Sequence, residues 1–324
     1  MQTERLKEIL TNIQNVHAAV VGDICLDIYW QADMRLSELS RETPHYMLPI
    51  VEERMSPGGG GNVVANMASL KPSKVYAVGV IGDDWRGAEL SKLLCGVNHL
   101  ITAPGRFTST FCKPLRGGYS HVVYEDPRLD FLSHKPLEKE IEDRLIDSLG
   151  DIATKIDVLC VSDQLPCGTI TDRVRECILK LAGDGLTVIA DSRERIGMYI
   201  GCIIKPNEVE GTKAAGVDDF REAALQLAAF REVIMTIGAE GSLYAANGEI
   251  THIPARAVTG EIDIVGAGDS FLSGFALATA AGATRLEAAS IAGLCSEVTI
   301  QKIGTTGTAS AEEIIERYGQ AYEN

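Results

Sequence analysis

Apolar runs of strand length alternate with segments whose apolar residues recur every three or four positions, and this rhythm organises most of the chain. Residues 16–22 form an apolar run with His17 as its one polar member, as a strand covered on both faces requires. Further strands are predicted at 74–80, 156–161, 186–190, 202–205 and 232–237. Helices are predicted at 84–95, at 169–182 and from Glu208 onward, with a short amphipathic helix at 4–14 ahead of the first strand. Strands alternating with helices predict an α/β domain whose doubly wound, mostly parallel sheet carries helices on both faces. Residues 63–70 predict a helix behind a glycine run. Residues 270–281, apolar nearly all round and stopped by Gly282, predict a buried one. Residues 284–321 predict two more helices, separated by 303–307.

Four segments fall outside this rhythm. Residues 28–35, 45–54, 107–116 and 119–125 alternate as strands do, and Gly117-Gly118 between the last two is a hairpin signal. They predict a small separate sheet, with 126–131 returning to the main body. Residues 242–246 could pair with 232–237 as a second hairpin. No Pro/Gly/Ser-rich linker or repeat interrupts the chain, so residues 1–324 read as one domain with a β-sheet lid at about 28–54 and 107–125.

A net charge of −15 argues against nucleic acid as a partner, because phosphate-backbone binding rests on clustered Lys and Arg. It leaves a small nucleotide possible, since local N–H groups and a metal can hold one. The first residues lack a signal-peptide pattern and no run of 18 apolar residues occurs. A cytoplasmic chain with no membrane partner is therefore expected. Eight cysteines (25, 95, 112, 160, 167, 177, 202 and 295) contain no C-x-x-C pair and lie mostly inside apolar segments, which predicts free thiols in a reducing compartment. The six His lack i, i+4 pairing, so none reads as a zinc ligand.

The candidate chemistry lies where strands end and helices begin. In open α/β sheets ligands bind beyond the carboxyl ends of strands, which is where Asp23 and Asp27 fall; as isolated acids they could equally cap a loop. The run Gly58-Gly59-Gly60-Gly61-Asn62 opens a helix. It lets a ligand approach the backbone, with Asn62 able to donate to and accept from hydroxyls, although a flexible turn accounts for glycines as well. There is no G-x-x-x-x-G-K-[ST], and the glycines do not follow a strand with G-x-G-x-x-G spacing, which excludes a P-loop and disfavours a dinucleotide fold. Most informative is Asp263-Ile-Val-Gly266-Ala267-Gly268-Asp269. Its glycine turn points the unpaired N–H groups of a helix start at one spot, an anion site. A carboxylate at that spot makes sense if Asp269 takes a proton from a hydroxyl while the N–H groups hold charge developing on a phosphoryl group. Helix capping is its plainer explanation.

The D-x-x-G-A-G-D sequence resembles the second signature of the ribokinase/PfkB family of carbohydrate kinases, and G-G-x-x-N ending at Asn62 resembles the first. The resemblance runs from residue 16 to about 320. It implies a ribokinase-like fold whose lid covers the sugar and pairs between subunits, hence a homodimer, and an ATP- and Mg²⁺-dependent sugar kinase. By the same resemblance Asp269 is the catalytic base, Gly266, Ala267 and Gly268 form the anion hole, and Asp23, Asp27, Gly59, Gly60 and Asn62 hold the acceptor. Asn207 and Glu210 resemble the N-x-x-E motif that orders nucleotide phosphates and, through water, Mg²⁺; Lys205 is a candidate phosphate contact or a solvated charge. Thr236, Gly238 and Gly241 resemble the segment beside the nucleotide phosphates and ribose, and Gly304 the far wall of the adenine pocket. Gly22-Asp23-x-x-x-Asp27 with Ile28-Tyr-Trp30, and Arg128-Leu-Asp130, look most like the heptose-phosphate kinase branch, the kinase half of ADP-heptose synthases; their nucleotidylyltransferase half does not follow residue 324. Other acceptors (fructose, ribose, a nucleoside) and a silent sugar- or nucleotide-binding protein are the rival readings.

Overall fold

The computed structural model describes residues 1–94 and 96–320. The chain starts with α1 (Thr3–Asn12) and β1 (His17–Gly22), then enters β2 (Ile24–Asp33) and β3 (Ile50–Gly59). It continues through α2 (Gly60–Ser69), β4 (Lys74–Gly82), α3 (Trp85–Leu93) and β5 (Val97–Ala103). Next come β6 (Thr110–Gly117), β7 (Tyr124–Glu125), β8 (Leu129–Phe131), α4 (Lys139–Ala153), β9 (Val158–Asp163), α5 (Asp172–Gly183), β10 (Thr187–Ser192) and β11 (Ile203–Ile204). The last third holds α6 (Glu208–Ala215), α7 (Phe220–Leu227), β12 (Val233–Thr236), β13 (Gly241–Ala246), β14 (Glu249–Pro254), α8 (Ala267–Ala280), α9 (Arg285–Thr299) and α10 (Ala311–Gln320).

Nine strands form the main sheet in the order β14-β13-β12-β11-β10-β9-β1-β4-β5. All neighbours are parallel except the β12–β13 and β13–β14 pairs, so the second expected hairpin is present. The period of two sends alternate residues into two cores. In β1, Ala18 and Val20 join the cluster under α1, α2, α8 and α9, while Ala19 and Val21 join the one under α4, α5 and α7. β9 divides likewise, with Val158 and Cys160 on one side and Leu159 and Val161 on the other. Two-sided burial explains why these strands read as apolar runs. α4 carries the stripe Ile141, Leu145, Leu149 and Ile152 into the second core. α8 is buried along Ser270–Ala278, as its all-round apolar composition predicts.

The second sheet, ordered β3-β2-β6-β7 with β8 also on β6, is the small separate sheet expected at these segments and is called the lid below. Two expectations are corrected here. β6 and β7 pair through Leu115↔Glu125 and Arg116↔Tyr124, so the connection is a loop over 118–123 and not a two-residue turn at Gly117-Gly118. Residues 129–131 do not return to the main body; as β8 they pair antiparallel with β6, from Thr110↔Phe131 to Cys112↔Leu129. In both cases the backbone donors of β6 decide the outcome, because an unpaired strand edge collects whatever segment lies beside it.

A single residue, Asp23, separates β1 from β2, so the chain passes from main sheet to lid almost without a linker. The crossing needs Gly22: its φ is +148°, and a Cβ there would lie 2.0 Å from the Ser162 carbonyl oxygen. Cys25, Cys112, Cys160, Cys202 and Cys295 are buried free thiols and Cys167 and Cys177 half-buried ones, as expected; Cys95 lies outside the described residues.

The buried α8 supports the turn at its start, and Phe275, fully buried and stacked on Phe271, is its largest core side chain. Phe275→Ala is expected to destabilise the fold by about 3–5 kcal/mol. Urea unfolding followed by circular dichroism checks this, a midpoint unchanged from wild type being the contrary result.

Candidate active site

The parallel strands β1, β9, β10, β11 and β12 all end at one edge of the sheet. That edge carries Asp23, Gln164, Asp191, Lys205 and Thr236 in a row across the sheet, with Gln164 bonded to Asp23 and Lys205 paired with Asp191. The start of α8 faces this edge. Gly266 caps the helix with φ +84°, a conformation that suits glycine, and a Cβ there would stand 3.0 Å from Asn62 Nδ2. The Ala267 N–H turns back to the Ile264 carbonyl at 3.2 Å. No partner among the described residues takes the Gly266, Gly268 and Asp269 N–H groups, so these three, with the helix dipole behind them, are the open donors.

Asp269 occupies the third position of α8 and accepts a hydrogen bond from Asn62 Nδ2 at 2.6 Å. Burial pushes its carboxyl up to about 7, against the Asn62 hydrogen bond; Asp191 and Asp27 add to the rise and Lys205 opposes it. Near neutrality such a group exchanges protons readily in either direction. Lys205 is buried, not a solvated charge: its Nζ pairs with Asp191 Oδ2 at 2.8 Å. Burial alone would lower its pKa, but Asp191 more than offsets that and the ammonium stays charged. The Nζ lies 3.8 Å from where a Cβ on Gly268 would stand. A fixed cation and the free N–H groups of the α8 start therefore lie beside a carboxyl group of raised pKa, an arrangement suited to a transferring phosphoryl group.

From this point a cavity of about 1220 Å³ extends over β12 and β13 toward α9. Asn207, Glu210, Thr236, Gly238 and Gly241 all line it, with an apolar wall that includes Ile253, Ile264, Phe271 and Leu294. Asn207 and Glu210 make a reciprocal cap on α6: the Glu210 N–H donates to Asn207 Oδ1 at 2.8 Å, and the Asn207 N–H to Glu210 Oε2 at 2.9 Å. Burial raises the Glu210 pKa and neighbouring Asp191 adds to it. Glu210 and Asp191 both line the cavity, and carboxylate oxygens are the donors that a hard divalent cation such as Mg²⁺ would take. Gly241, at φ +106°, runs so close to β14 that a Cβ would meet the Ile253 oxygen at 2.2 Å. Gly304 is not in this wall. Its N–H donates to Asp263 Oδ2 at 3.0 Å and its carbonyl accepts from Arg54 of the lid, so the structure makes it a tie between the α8 turn and β3.

The lid side of Asp269 holds the other candidates. Asp23 is buried: its Oδ1 accepts from the Thr169 N–H at 2.6 Å, and its Oδ2 from Gln164 and Leu165 at 2.8 and 2.7 Å. Burial raises its carboxyl to about 6 in spite of those three donors. Asp27 pairs with Lys113 Nζ at 3.0 Å, and the same ammonium donates to the Tyr29 hydroxyl at 3.0 Å. Gly59 and Gly60 lie against the Asp23 backbone: a Cβ on Gly59 would be 2.6 Å from the Asp23 oxygen, and the Gly60 N–H donates to that oxygen at 2.9 Å. Close approach to the Asp23 backbone thus requires glycine at 59, while Gly58, Gly60 and Gly61 pack first against the side chains of Asp27, Ile24 and Pro57. Two charged residues beyond those read from the sequence, Asp191 and Lys113, are brought to the site by the fold. Asp191 obeys the strand-end rule at β10 that picks out Asp23 at β1, whereas Lys113 inside an alternating strand gives no local signal.

The model of the pfkB family carbohydrate kinases matches residues 18–312. The bifunctional protein HldE of Geotalea uraniireducens is 30% identical over 340 residues, covering 99% of this chain and 67% of its own length. HldE of Hyphomonas neptunium is 32% identical over 329 residues, covering 96% and 65%. The chain thus spans about two thirds of these relatives. Among solved structures, phosphofructokinase-2 from Escherichia coli in complex with substrates and products superposes with a TM-score of 0.74 at 19% identity, covering 95% of this chain and all of that one. Arabidopsis thaliana ribokinase complexed with ribose and ATP superposes at 0.71 and 19%, covering 94% and 98%. These structures share the ribokinase-like fold.

With its folded pKa near 7 and an ordinary carboxylate pKa when unfolded, Asp269 holds a proton more tightly in the folded chain. It therefore weakens the ligand-free fold progressively as pH rises through that window. Thermal melts should show Asp269→Asn gaining on wild type between about pH 4 and pH 8, with the smallest difference at the acid end. A difference independent of pH would contradict the raised carboxyl.

Proposed function

The chain belongs to the pfkB family of carbohydrate kinases, and we propose that it transfers the γ-phosphoryl group of ATP to a hydroxyl of a sugar phosphate, with a heptose 7-phosphate as acceptor. The observation that carries this reading is the junction at Asp269, which faces Asn62 and the lid on one side and the Lys205–Asp191 pair and the cavity on the other. The acceptor would lie under the lid against Asp27, Gly59, Gly60 and Asn62, with Asp23 holding the loop beneath. The nucleotide would fill the cavity, its base against the apolar wall and its phosphates running past Thr236, Gly238 and Gly241 toward Lys205.

The reaction follows from that arrangement. Asp269 accepts the proton of the acceptor hydroxyl as its oxygen forms the new bond to the γ-phosphorus, and the bond from that phosphorus to the bridging oxygen of ADP breaks. The Gly268 and Asp269 N–H groups and the Lys205 ammonium face the charge spread over the γ-oxygens. Asn207 keeps Glu210 oriented toward the cavity. There Glu210, through water, and Asp191 would hold Mg²⁺, which when bound neutralises phosphate charge. The assignment to a heptose phosphate draws on the Gly22-Asp23-x-x-x-Asp27 and Arg128-Leu-Asp130 segments and on the HldE relatives.

A homodimer through the lid accompanies this reading. The lid segments expose Tyr46, Val51, Tyr119 and Tyr124, at 72%, 55%, 80% and 61%, more apolar surface than a small sheet leaves to water without a partner.

Three outcomes are expected. ATP consumption with Mg²⁺ across a panel of free and phosphorylated sugars and nucleosides should be fastest on D-glycero-D-manno-heptose 7-phosphate; a better acceptor elsewhere in the panel would replace the substrate and keep the mechanism. Asp269→Asn should lower kcat about 10²–10⁴-fold while nucleotide affinity, followed by calorimetry, changes little; a parallel loss of both would make the residue structural. Sedimentation should find a dimer that Val51→Asp weakens, and a monomeric wild type would remove the lid interface.

A further inference from the structure

Asn66 lies one helical turn beyond Asn62 on α2, is 2% exposed, and has no contact with Asp269 among its recorded hydrogen bonds. Its Nδ2 donates twice, to the Asn62 backbone carbonyl at 2.9 Å and to Asn62 Oδ1 at 3.2 Å. Its own Oδ1 is buried and has no partner among the described residues. An amide side chain can be reversed end for end, so which end of Asn62 meets Asp269 must be fixed by something that cannot reverse. The Asn62 backbone carbonyl is such a group, since it only accepts. It forces Asn66 to present its NH₂ end, and that end requires an acceptor, which sets Asn62 with Oδ1 toward Asn66 and Nδ2 toward Asp269. The chain of dependence runs from a backbone oxygen through two side chains to the carboxylate.

We propose that Asn66 is a positioning residue for phosphoryl transfer, holding the Asn62 amide in the one orientation that donates to Asp269. The inference rests on the reading of Asp269 as the base. The unpartnered Asn66 Oδ1 supports it, because a residue that served packing alone would be better replaced there by an apolar one of similar shape. With the Asn62 amide reversed, its oxygen would face the carboxylate, and the ionised form would lose its donor. Among the groups facing Asp269, Lys205 stabilises the ionised form; Asp191 from β10, Asp27 from β2 and the nearby Cys25 thiol do not. Loss of the Asn62 donor therefore pushes the carboxyl up and moves the acid limb of the rate profile to higher pH.

The test is kcat/KM against pH for wild type, Asn66→Asp, Asn66→Ala and Asp269→Asn, using ATP and the best acceptor of the panel, with thermal melts of each. Asn66→Asp keeps the shape but offers only acceptors, so the Asn62 NH₂ turns toward it. Asn66→Ala removes the constraint without adding charge. Both should shift the acid limb upward, Asn66→Asp by about one pH unit with a roughly tenfold loss at pH 7 that recovers in alkali. Limbs coincident with wild type, whatever the melting temperatures, would overturn the proposal and leave Asn66 a packing residue. Undiminished turnover by Asp269→Asn would overturn the base assignment instead, and the two failures are distinguished by which variant departs.

Discussion

Asp23 is the residue on which the two sheets and the site between them depend. Its N–H donates to Ser162 at the end of β9, its carbonyl accepts from Gly60 at the start of α2, and its carboxylate takes the N–H groups of Gln164, Leu165 and Thr169. Every polar group of this one buried residue is thereby committed, and each bond fixes a different segment. The main sheet, the lid and the glycine run meet where a chain of low conformational freedom turns through a single position. Buried donors and acceptors left unmade are costly, so the segments hold one another in register.

The second organising constraint is electrostatic. Asp27, Asp191 and Asp269 gather acid charge at the sheet edge, and Lys113 and Lys205 offset part of it from within the fold. The residual imbalance falls on Asp269, because among the described residues its one direct donor is the neutral amide of Asn62. A carboxylate paired directly with a lysine would be too acidic to take a proton from a hydroxyl. One held by an amide, with the lysine at one remove, keeps a pKa in the working range. The lysine in turn stays available to an anion at the α8 start. Asp269 thus stands between the Asp27–Lys113 pair of the lid and the Asp191–Lys205 pair of the main sheet.

The lid illustrates how a strand edge governs what joins it. β6 lies parallel to β2, so its far edge was open to a partner, and both β7 and the short β8 took it. Pairing with β6 accounts for the 118–123 loop and for the attachment of 129–131, neither of which follows from turn chemistry at Gly117-Gly118.

Sequence alone determined the alternation of strands and helices, the buried character of α8, the lid as a separate sheet and the turn ending in Asp269, because each is written in neighbouring residues with a period or a local conformational demand. The same holds for Asn207 and Glu210, whose reciprocal cap is a local event. Tertiary structure decided the rest. Lys205 pairs with Asp191 across two strands, Lys113 reaches Asp27 from another, and Gly304 braces Asp263 and Arg54 and not the cavity wall. Asn62 on α2 meets Asp269 on α8. These are relations between residues far apart in the chain, and no local pattern encodes a partner that only the folding of the sheets brings within hydrogen-bonding distance.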